Sequence, residues 1–329
     1  MRNEILDYFR KDNGQFISGE QISRDLHVSR TAIWKHINIL KERGYIFESS
    51  TRKGYRLIYA PNLLTPLEID SALHTETFGR HVVYLSSTTS TNEEAKKIAR
   101  EGAEEGTIVV AEEQTGGRGR LTRSFYCPFA KGIWFTLILR PKFFPLEASK
   151  CTLMAAVGVC RGIRRLGLQD AGIKWPNDIL YHGKKLVGIL TEMSASMEKI
   201  DYIIIGAGIN TGMKKSEFPE LFRESATSFL AEGIDVSRKD LLAAILAELE
   251  KEYEIAQTQG FDKVLEDWKA LSITLGQDVR VIMGEENYTG KAVDIDKDGC
   301  LLVDTGEKVE RVIAGDVSIR PIDAPLPKR

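Results

Sequence analysis

The apolar residues of this 329-residue chain change their spacing twice, and those changes limit the folds open to it. Near the start, Ile5, Leu6 and Phe9 form one helical stripe, and Ile33, Ile37 and Leu40 recur at i, i+4 and i+7. The middle mixes helical stretches with continuous apolar runs: TIVVA, GIWFTLIL, LVGILTEM and YIIIGAGIN. From Ile273 onward, the runs QDVRVIM, YTGKAVDI, CLLVDT and VERVI alternate with turns such as GEEN and DKDG. A single small domain is excluded by this pattern and by the length. The reading is α+β in three parts, 1–60, 65–271 and 273–322, with the first ending near Tyr59-Ala60-Pro61-Asn62. The last part reads as a small SH3-like β-barrel.

Residues 1–60 read as three helices and a hairpin. Ser18 followed by Gln21 makes a capping box for a helix carrying Ile22 and Leu26. Ser29 caps the third helix, and Gly44 stops it. Two short strands, YIFES and YRLI, flank the turn SSTRKG, which gives a winged helix-turn-helix with its motif from Gly19 to Asn38. With Ile33, Ile37 and Leu40 inward, the third helix exposes Arg30, Thr31, Trp34, Lys35 and Asn38. Those side chains suit base edges in a major groove, with Ser29 and Thr31 near phosphates and Arg52 and Lys53 of the wing along the backbone or minor groove. Charge agrees: these residues hold 11 Lys/Arg against 7 Asp/Glu in a chain whose net charge is −2, so the front end alone suits a polyanion. The competing readings are a solvated helical bundle, or a winged helix that contacts protein.

Cys127, Cys151, Cys160 and Cys300 form no Cys-x-x-Cys pair and have no nearby His at ligand spacing, so neither a disulfide framework nor a structural zinc site is expected. The charged start MRNEILDYFRKDNGQ is no signal peptide, and no run approaches the ~20 apolar residues that span a bilayer. A soluble cytoplasmic protein is the expectation.

Three clusters in the middle segment carry polar chemistry. Ser87 to Glu94 lies between the strand-like VVYLS and a helix; by itself this cluster reads as a helix cap, although Ser90, Thr91 and Asn92 also offer short, stiff donors and acceptors. Gln114-Thr115-Gly116-Gly117-Arg118-Gly119-Arg120-Leu121-Thr122-Arg123 joins close-approaching backbone to guanidinium forks suited to phosphate. Its alternative, a flexible basic loop touching RNA, is disfavoured by the apolar strands on either side. Lys174-Trp175-Pro176-Asn177-Asp178 is the third cluster: the residue before proline is extended, and Pro-Asn-Asp turns the chain into a strand. Downstream, the turn HGKK presents Lys184 and Lys185, and YIIIGAGIN ends at Asn210 without the third glycine of a dinucleotide fold.

GRGR within QTGGRGRLTR, KWPND, the Lys of KKLVGIL and IGAGIN resemble, in order and spacing, the biotin–protein ligase family. The added winged helix resembles its bifunctional members, which also repress biotin operons. The likeness spans nearly the whole chain. It implies a central mixed α/β catalytic domain of the biotin/lipoate ligase type and a two-step reaction. Biotin and ATP give biotinyl-5′-adenylate, and a lysine of a biotin carboxyl carrier protein domain then displaces AMP. By this resemblance Ser90, Thr91, Asn92 and Gln114 hold the ureido ring. Arg118, Gly119 and Arg120 close over biotin and the α-phosphate, and Lys185 sits beside the carboxylate. Arg123, Phe125, Lys174, Asn177, Asp178 and Asn210 serve the nucleotide. Arg120, Lys185 and Asp178 are the expected catalytic set, with Asp178 either the candidate for Mg2+ or the group that orients the acceptor amine. Family members often carry Trp where this chain has Phe125, which leaves less area to stack on adenine. Trp134 lines the pocket or belongs to the core.

A Gly-rich basic loop is expected to order when an adenylate neutralises its arginines, completing a surface on which two copies pair and present two winged helices to operator DNA. Two other functions compete: a ligand-sensing transcription factor without turnover, and a lipoate-type ligase.

Overall fold

The computed structural model describes residues 2–11, 14–42, 45–60, 62–120, 123–283, 286–314 and 317–321. Gly44, Pro61, Leu121, Thr122, the Gly284-Glu285 part of the GEEN turn and the limit at residue 322 lie outside them. The chain forms two compact units, 1–72 and 73–329.

In the first unit, α1 (Arg2–Lys11), α2 (Gly19–Asp25) and α3 (Arg30–Glu42) are followed by the antiparallel hairpin β1 (Ile46–Ser50) and β2 (Gly54–Tyr59), then by α4 (Pro66–Asp70). Ser18 accepts from the Gln21 N–H at 3.1 Å and Ser29 from the Ala32 N–H at 3.2 Å, so both expected caps form. Ile5, Leu6, Phe9, Ile22, Ile33, Ile37 and Leu40 are buried together with Tyr45, Phe47 and Leu67.

The second unit is built on a seven-stranded mixed sheet. Its strands are β3 (Val82–Leu85), β4 (Ile108–Ala111), β5 (Gly132–Leu139), β6 (Gly172–Lys174), β7 (Asp178–Tyr181), β8 (Lys184–Ala195) and β9 (Ile200–Asn210), in the order β3-β4-β5-β9-β8-β7-β6. The β3–β4 pair is parallel and every other pair antiparallel. All eight residues of β5 are buried, as expected of a continuous apolar run at the centre of a sheet. Helix α5 (Thr91–Arg100) packs on β4, β5 and β9. The longer α6 (Cys151–Arg165) and α7 (Arg238–Gln259) pack on one another and on α8 (Asp262–Leu271). They meet closely because Gly158 and Gly162 face α7: a Cβ there would lie 2.9 Å from the Leu249 Cα and 2.7 Å from the Ile245 Cα.

The C-terminal strands β10 (Asp278–Met283), β11 (Glu286–Ile295), β12 (Leu301–Asp304), β13 (Val309–Val312) and β14 (Val317–Pro321) form an antiparallel sheet in the order β13-β12-β11-β10-β14. It fits an SH3-like fold with the barrel not closed. The strand β14 was not separately visible in the sequence pattern. Trp175 ties this sheet to the turn between β6 and β7, donating from Nε1 to the Gly299 carbonyl at 3.1 Å while its N–H reaches Thr274 Oγ1 at 2.9 Å. Among the described residues, no helix is long and apolar enough to cross a membrane.

Candidate functional site

A cleft of about 340 Å³, its mouth included, opens beside the central sheet. Ser90, Thr91, Asn92, Gln114, Arg118 and Phe125 line it, with Gly206 and Gly208 of β9 below. Sequence reasoning by itself assigned the Ser87–Glu94 cluster to helix capping. Ser90 does occupy the N-cap of α5, but its side chain makes no capping hydrogen bond. Instead Ser90, Thr91 and Asn92 are buried. Gln114 Oε1 accepts from the Thr91 N–H at 2.7 Å and lies 3.1 Å from Thr91 Oγ1. The Asn92 amide donates to Glu192 at 2.8 Å, and its Oδ1 accepts from Thr136 at 2.7 Å.

The glycine–arginine segment folds back on itself. Phe125 N–H bonds the Gly117 carbonyl at 2.9 Å, and Gly119 N–H bonds the Arg123 carbonyl at 2.7 Å. Gly117 is required there, since a Cβ would stand 2.5 Å from the Phe125 carbonyl oxygen. Arg118 and Arg123 are exposed, Gly119 and Arg120 half-buried. Arg120 donates to Asn177 Oδ1 at 3.2 Å and to the carbonyl of Ala314, which follows β13.

The expected corner forms at β6–β7. Lys174 ends β6, half-buried; Asn177 is buried and donates to the Ile189 carbonyl at 2.8 Å; Asp178 opens β7. Lys184 and Lys185 belong to β8 rather than to the hairpin turn, because the strand begins at Lys184. That placement puts the Lys185 ammonium 2.7 Å from Asp178 Oδ1 and 5.6 Å above the Phe125 ring. Phe125 therefore joins the polar cleft to the Lys–Asp pair. Asn210 ends β9, donates to the Thr227 carbonyl at 3.0 Å and keeps a buried Oδ1 with no hydrogen-bond partner among the described residues. Trp134 is fully buried, edge-on to Phe125 at 6.0 Å, and packs with Cys127, Met213 and Phe218. Among the described residues, no group of three or more His, Cys, Asp or Glu side chains gathers as a metal cluster.

Sequence reasoning missed several residues that hold this site. Thr136, from inside an apolar strand, and Glu192, from the far end of β8, both engage Asn92. Arg238 at the start of α7 makes a buried ion pair with Glu112 at 2.8 Å and donates to the Gly132 carbonyl at 2.9 Å from Nε. Their sequence signal was a polar residue in a buried strand (Thr136) and a carboxylate just after an apolar run (Glu112). Cys127 accepts from Gln114 Nε2 at 3.2 Å, and burial pushes its thiol up to about 12. It is a structural thiol, not a nucleophile.

In the first unit, Ser29, Arg30, Thr31, Trp34 and Lys35 are exposed on or beside α3, as are Arg52 and Lys53 in the β1–β2 turn. Arg30 also pairs with Glu20 of α2. Lys53 lies 5.7 Å and Arg56 4.9 Å over the Phe16 ring, anchoring the wing.

Comparison with known proteins agrees with this arrangement. The profile of the biotin/lipoate A/B protein ligase family matches residues 84–210, a helix-turn-helix domain matches 2–56, and the biotin protein ligase C-terminal domain matches 274–320. The bifunctional ligase/repressor BirA of Bacillus spizizenii is 40% identical over 97% of this chain and 98% of that protein. Its counterpart in Escherichia coli is 31% identical over 94% of both. A biotin protein ligase from Aquifex aeolicus, solved in complex with biotin and ATP, superposes with a TM-score of 0.64 at 28% identity, covering 74% of this chain and 99% of that one. The chain accordingly belongs to the biotin protein ligase family, among its bifunctional ligase/repressors.

Proposed function

We propose that this protein attaches biotin to a lysine of a biotin carboxyl carrier protein domain at the expense of ATP, and represses biotin genes by binding operator DNA. The observation that carries the ligase reading is the convergence of Lys185 and Asp178 on Phe125, which itself lines the Ser90–Gln114 cleft. A carboxylate is a poor electrophile. Its oxygen attacks the α-phosphorus of ATP and pyrophosphate leaves; the lysine amine then attacks the acyl carbon, loses a proton, and AMP leaves. The first step brings an anion against a polyanion, so fixed cations lower its barrier. Lys185 supplies one beside the cleft and Arg120 another, the latter held by Asn177. Arg118 and the Gly119 backbone cover the bound vitamin, while Ser90, Thr91, Asn92 and Gln114 read its ureido ring. Phe125 backs the nucleotide, with Arg123, Lys174, Asn177 and Asn210 toward its phosphates and sugar.

Magnesium fits this donor set through Asp178, because Mg2+ typically takes one or two carboxylates together with substrate phosphates. When bound it supplies charge neutralisation at the triphosphate. Asp178 would hold the cation, and Lys185, which lies 2.7 Å from that carboxylate, would add its own positive charge beside the acyl-phosphate.

Corepression by biotinyl-5′-adenylate acts through a homodimer. Support comes from β8, whose pairing with β7 ends at Gly188 while the strand runs on to Ala195. Beyond Ile189 no strand among the described residues covers that edge, and Met193 and Met197 beside it are exposed. An open strand edge is a template for a second chain. Pairing two wings and two recognition helices then matches two half-sites.

Labelled biotin, ATP, magnesium and a carrier domain test the ligase. Transfer of label to the carrier is expected; binding without transfer favours a sensor, and indifference to biotin favours a lipoate-type enzyme. Gel-shift titration with and without biotin plus ATP tests corepression, and equal operator affinity in the two conditions overturns it.

A further inference from the structure

Four side-chain oxygens stand in series behind the cleft. Gln114 Oε1 lies 3.1 Å from Thr91 Oγ1, which lies 2.8 Å from Thr136 Oγ1, which lies 2.7 Å from Asn92 Oδ1. The end members are amide oxygens, which accept and never donate; the two hydroxyls contribute one proton each. Three close contacts therefore share two protons, and one contact is always short of a donor.

The amide orientations that create this shortage are fixed from outside the chain of oxygens. Asn92 Nδ2 donates to the Glu192 carboxylate at 2.8 Å and faces the Leu190 carbonyl at 3.4 Å. Both are acceptors, so Oδ1 must turn toward Thr136. Glu192 is itself held by Lys96 at 2.8 Å. Gly206 completes the seat, since a Cβ would stand 2.0 Å from Asn92 Oδ1. At the other end, the Thr91 N–H bonds Gln114 Oε1 at 2.7 Å and keeps that oxygen facing Thr91.

We infer that Thr136 and Glu192, neither of which sits in the reacting machinery, are specificity-determining positioning residues: they keep the Thr91–Gln114 end of the cleft one proton short, so that the favoured ligand must bring an N–H donor to it. A cyclic urea carries two such donors; a dithiolane carries none. Thr136 is fully buried and acts through Thr91 and Asn92. The inference rests on the biotin reading above and names the residues that enforce its selectivity. A site built around an unmet acceptor rejects the analogue lacking the donor far more strongly than a merely apolar pocket does.

Calorimetric titration of the full chain tests this with biotin and with biotins methylated at each ureido nitrogen in turn. The quantity read is the ratio of dissociation constants, methylated over parent, because the bulk of the methyl group is the same for every variant. Thr136→Val removes one hydroxyl, commits the Thr91 proton to Gln114 and ends the shortage; the ratio for at least one analogue is expected to contract about tenfold. Thr136→Ser keeps the hydroxyl and is expected to keep the wild-type ratio. Glu192→Gln offers an amide N–H to Asn92, allows Asn92 to turn its own N–H toward Thr136, and is expected to contract the ratio as well. Glu192 is partly exposed, so this variant decides the matter if Thr136→Val does not fold. Wild-type ratios in both Thr136→Val and Glu192→Gln, even with weaker overall binding, overturn the inference. A wild-type chain that does not bind biotin overturns the functional reading instead.

Discussion

Arg120 and Asn177, 57 residues apart in the chain, meet through a hydrogen bond of 3.2 Å that joins the glycine–arginine segment to the β6–β7 corner. Asn177 is able to do this because its Nδ2 is already fixed on the Ile189 carbonyl, leaving Oδ1 aimed at the guanidinium. The second Arg120 bond, to the Ala314 carbonyl, brings the C-terminal sheet into the same contact. Asn177→Ala is therefore expected to misplace Arg120 and slow pyrophosphate release by about a hundredfold, as a loss of orientation at a charged centre does. Its melting temperature is expected to fall modestly. Unchanged pyrophosphate release rates would show that Arg120 needs no such guide.

The ion pair Lys185–Asp178 offers a way to separate the two steps of the proposed reaction. Lys185→Ala removes the cation that the proposed function sets beside the developing acyl-phosphate and is expected to cut adenylate formation by about a hundredfold to a thousandfold. When biotinyl-5′-adenylate is supplied ready-made, transfer to the carrier is expected to stay near the wild-type rate, because the charge problem of the first step has been bypassed. Equal losses in both assays would assign Lys185 to binding the adenylate as such.

Local patterns make much of this architecture legible in the sequence. The stripe Ile33-Ile37-Leu40, the caps at Ser18 and Ser29, and the turn at Pro176-Asn177 are decided by residues within one or two turns of each other, and each formed as expected. Of Lys174-Trp175 only Lys174 is extended, at the end of β6, and Trp175 already belongs to the turn. For Ser90 local pattern gives the position but not the use of the side chain: it stands at the N-cap of α5, yet its hydroxyl makes no capping bond and lines the cleft, the placement that only the family resemblance implied. What the sequence concealed is nonlocal. Thr136 meets Thr91 across 45 positions and Glu192 meets Asn92 across 100, encounters set by strand order rather than spacing. The β14 strand was hidden for a related reason, since its pairing with β10 lies far back in the chain.

Arg238 and Glu112 show how a buried pair is used to hold strand ends. Glu112 follows β4, and Arg238 also grips the Gly132 carbonyl at the start of β5. Burial pushes the Arg238 guanidinium below its ordinary value while Glu112 opposes that, and burial with Glu112 nearby raises the Tyr84 phenol to about 12. Arg238→Met strands the Glu112 carboxylate and is expected to cost about 3–5 kcal/mol in a denaturant titration. The double variant Glu112→Met, Arg238→Met leaves no lone charge, and most of that loss is expected to return. A double variant as unstable as the single one would mean that packing, not charge, dominates the site.

Acid stability has an identifiable contributor in the C-terminal sheet. Burial by itself would raise the Asp296 carboxyl, but Arg311 and the backbone N–H groups of Cys300 and Asp298 outweigh it and hold the group below its usual value. A carboxyl with a depressed folded pKa adds stability above its unfolded pKa, about 3.9, and that stability is lost as pH falls through the folded value. Asp296→Asn is expected to lower stability at pH 7 by about 1 kcal/mol and to flatten the fall below pH ~4. A wild-type acid slope in the variant would assign the titration elsewhere.

The winged helix offers a separation of affinity from sequence reading. Lys35, Arg52 and Lys53 are exposed cations, and Lys53 is steadied over Phe16, which limits the freedom the wing loses on binding. Charges that meet phosphates release counterions, so each contact contributes to the salt dependence of binding whatever the base sequence. Trp34 and Thr31 carry no charge and stand exposed on α3, where they are available to base edges. In fluorescence-anisotropy titrations with biotin and ATP present, Arg52→Ala and Lys53→Ala are expected each to reduce the slope of log K against log salt by about 0.9 and to weaken operator and non-operator DNA alike. Trp34→Ala is expected to leave that slope unchanged while eroding the preference for operator. Arg30 falls between these classes: its bond to Glu20 must be exchanged for one to DNA, so Glu20→Gln is expected to tighten operator binding. Should Trp34→Ala alter the slope and Arg52→Ala the preference, the recognition helix and the wing would have exchanged the roles their chemistry assigns them.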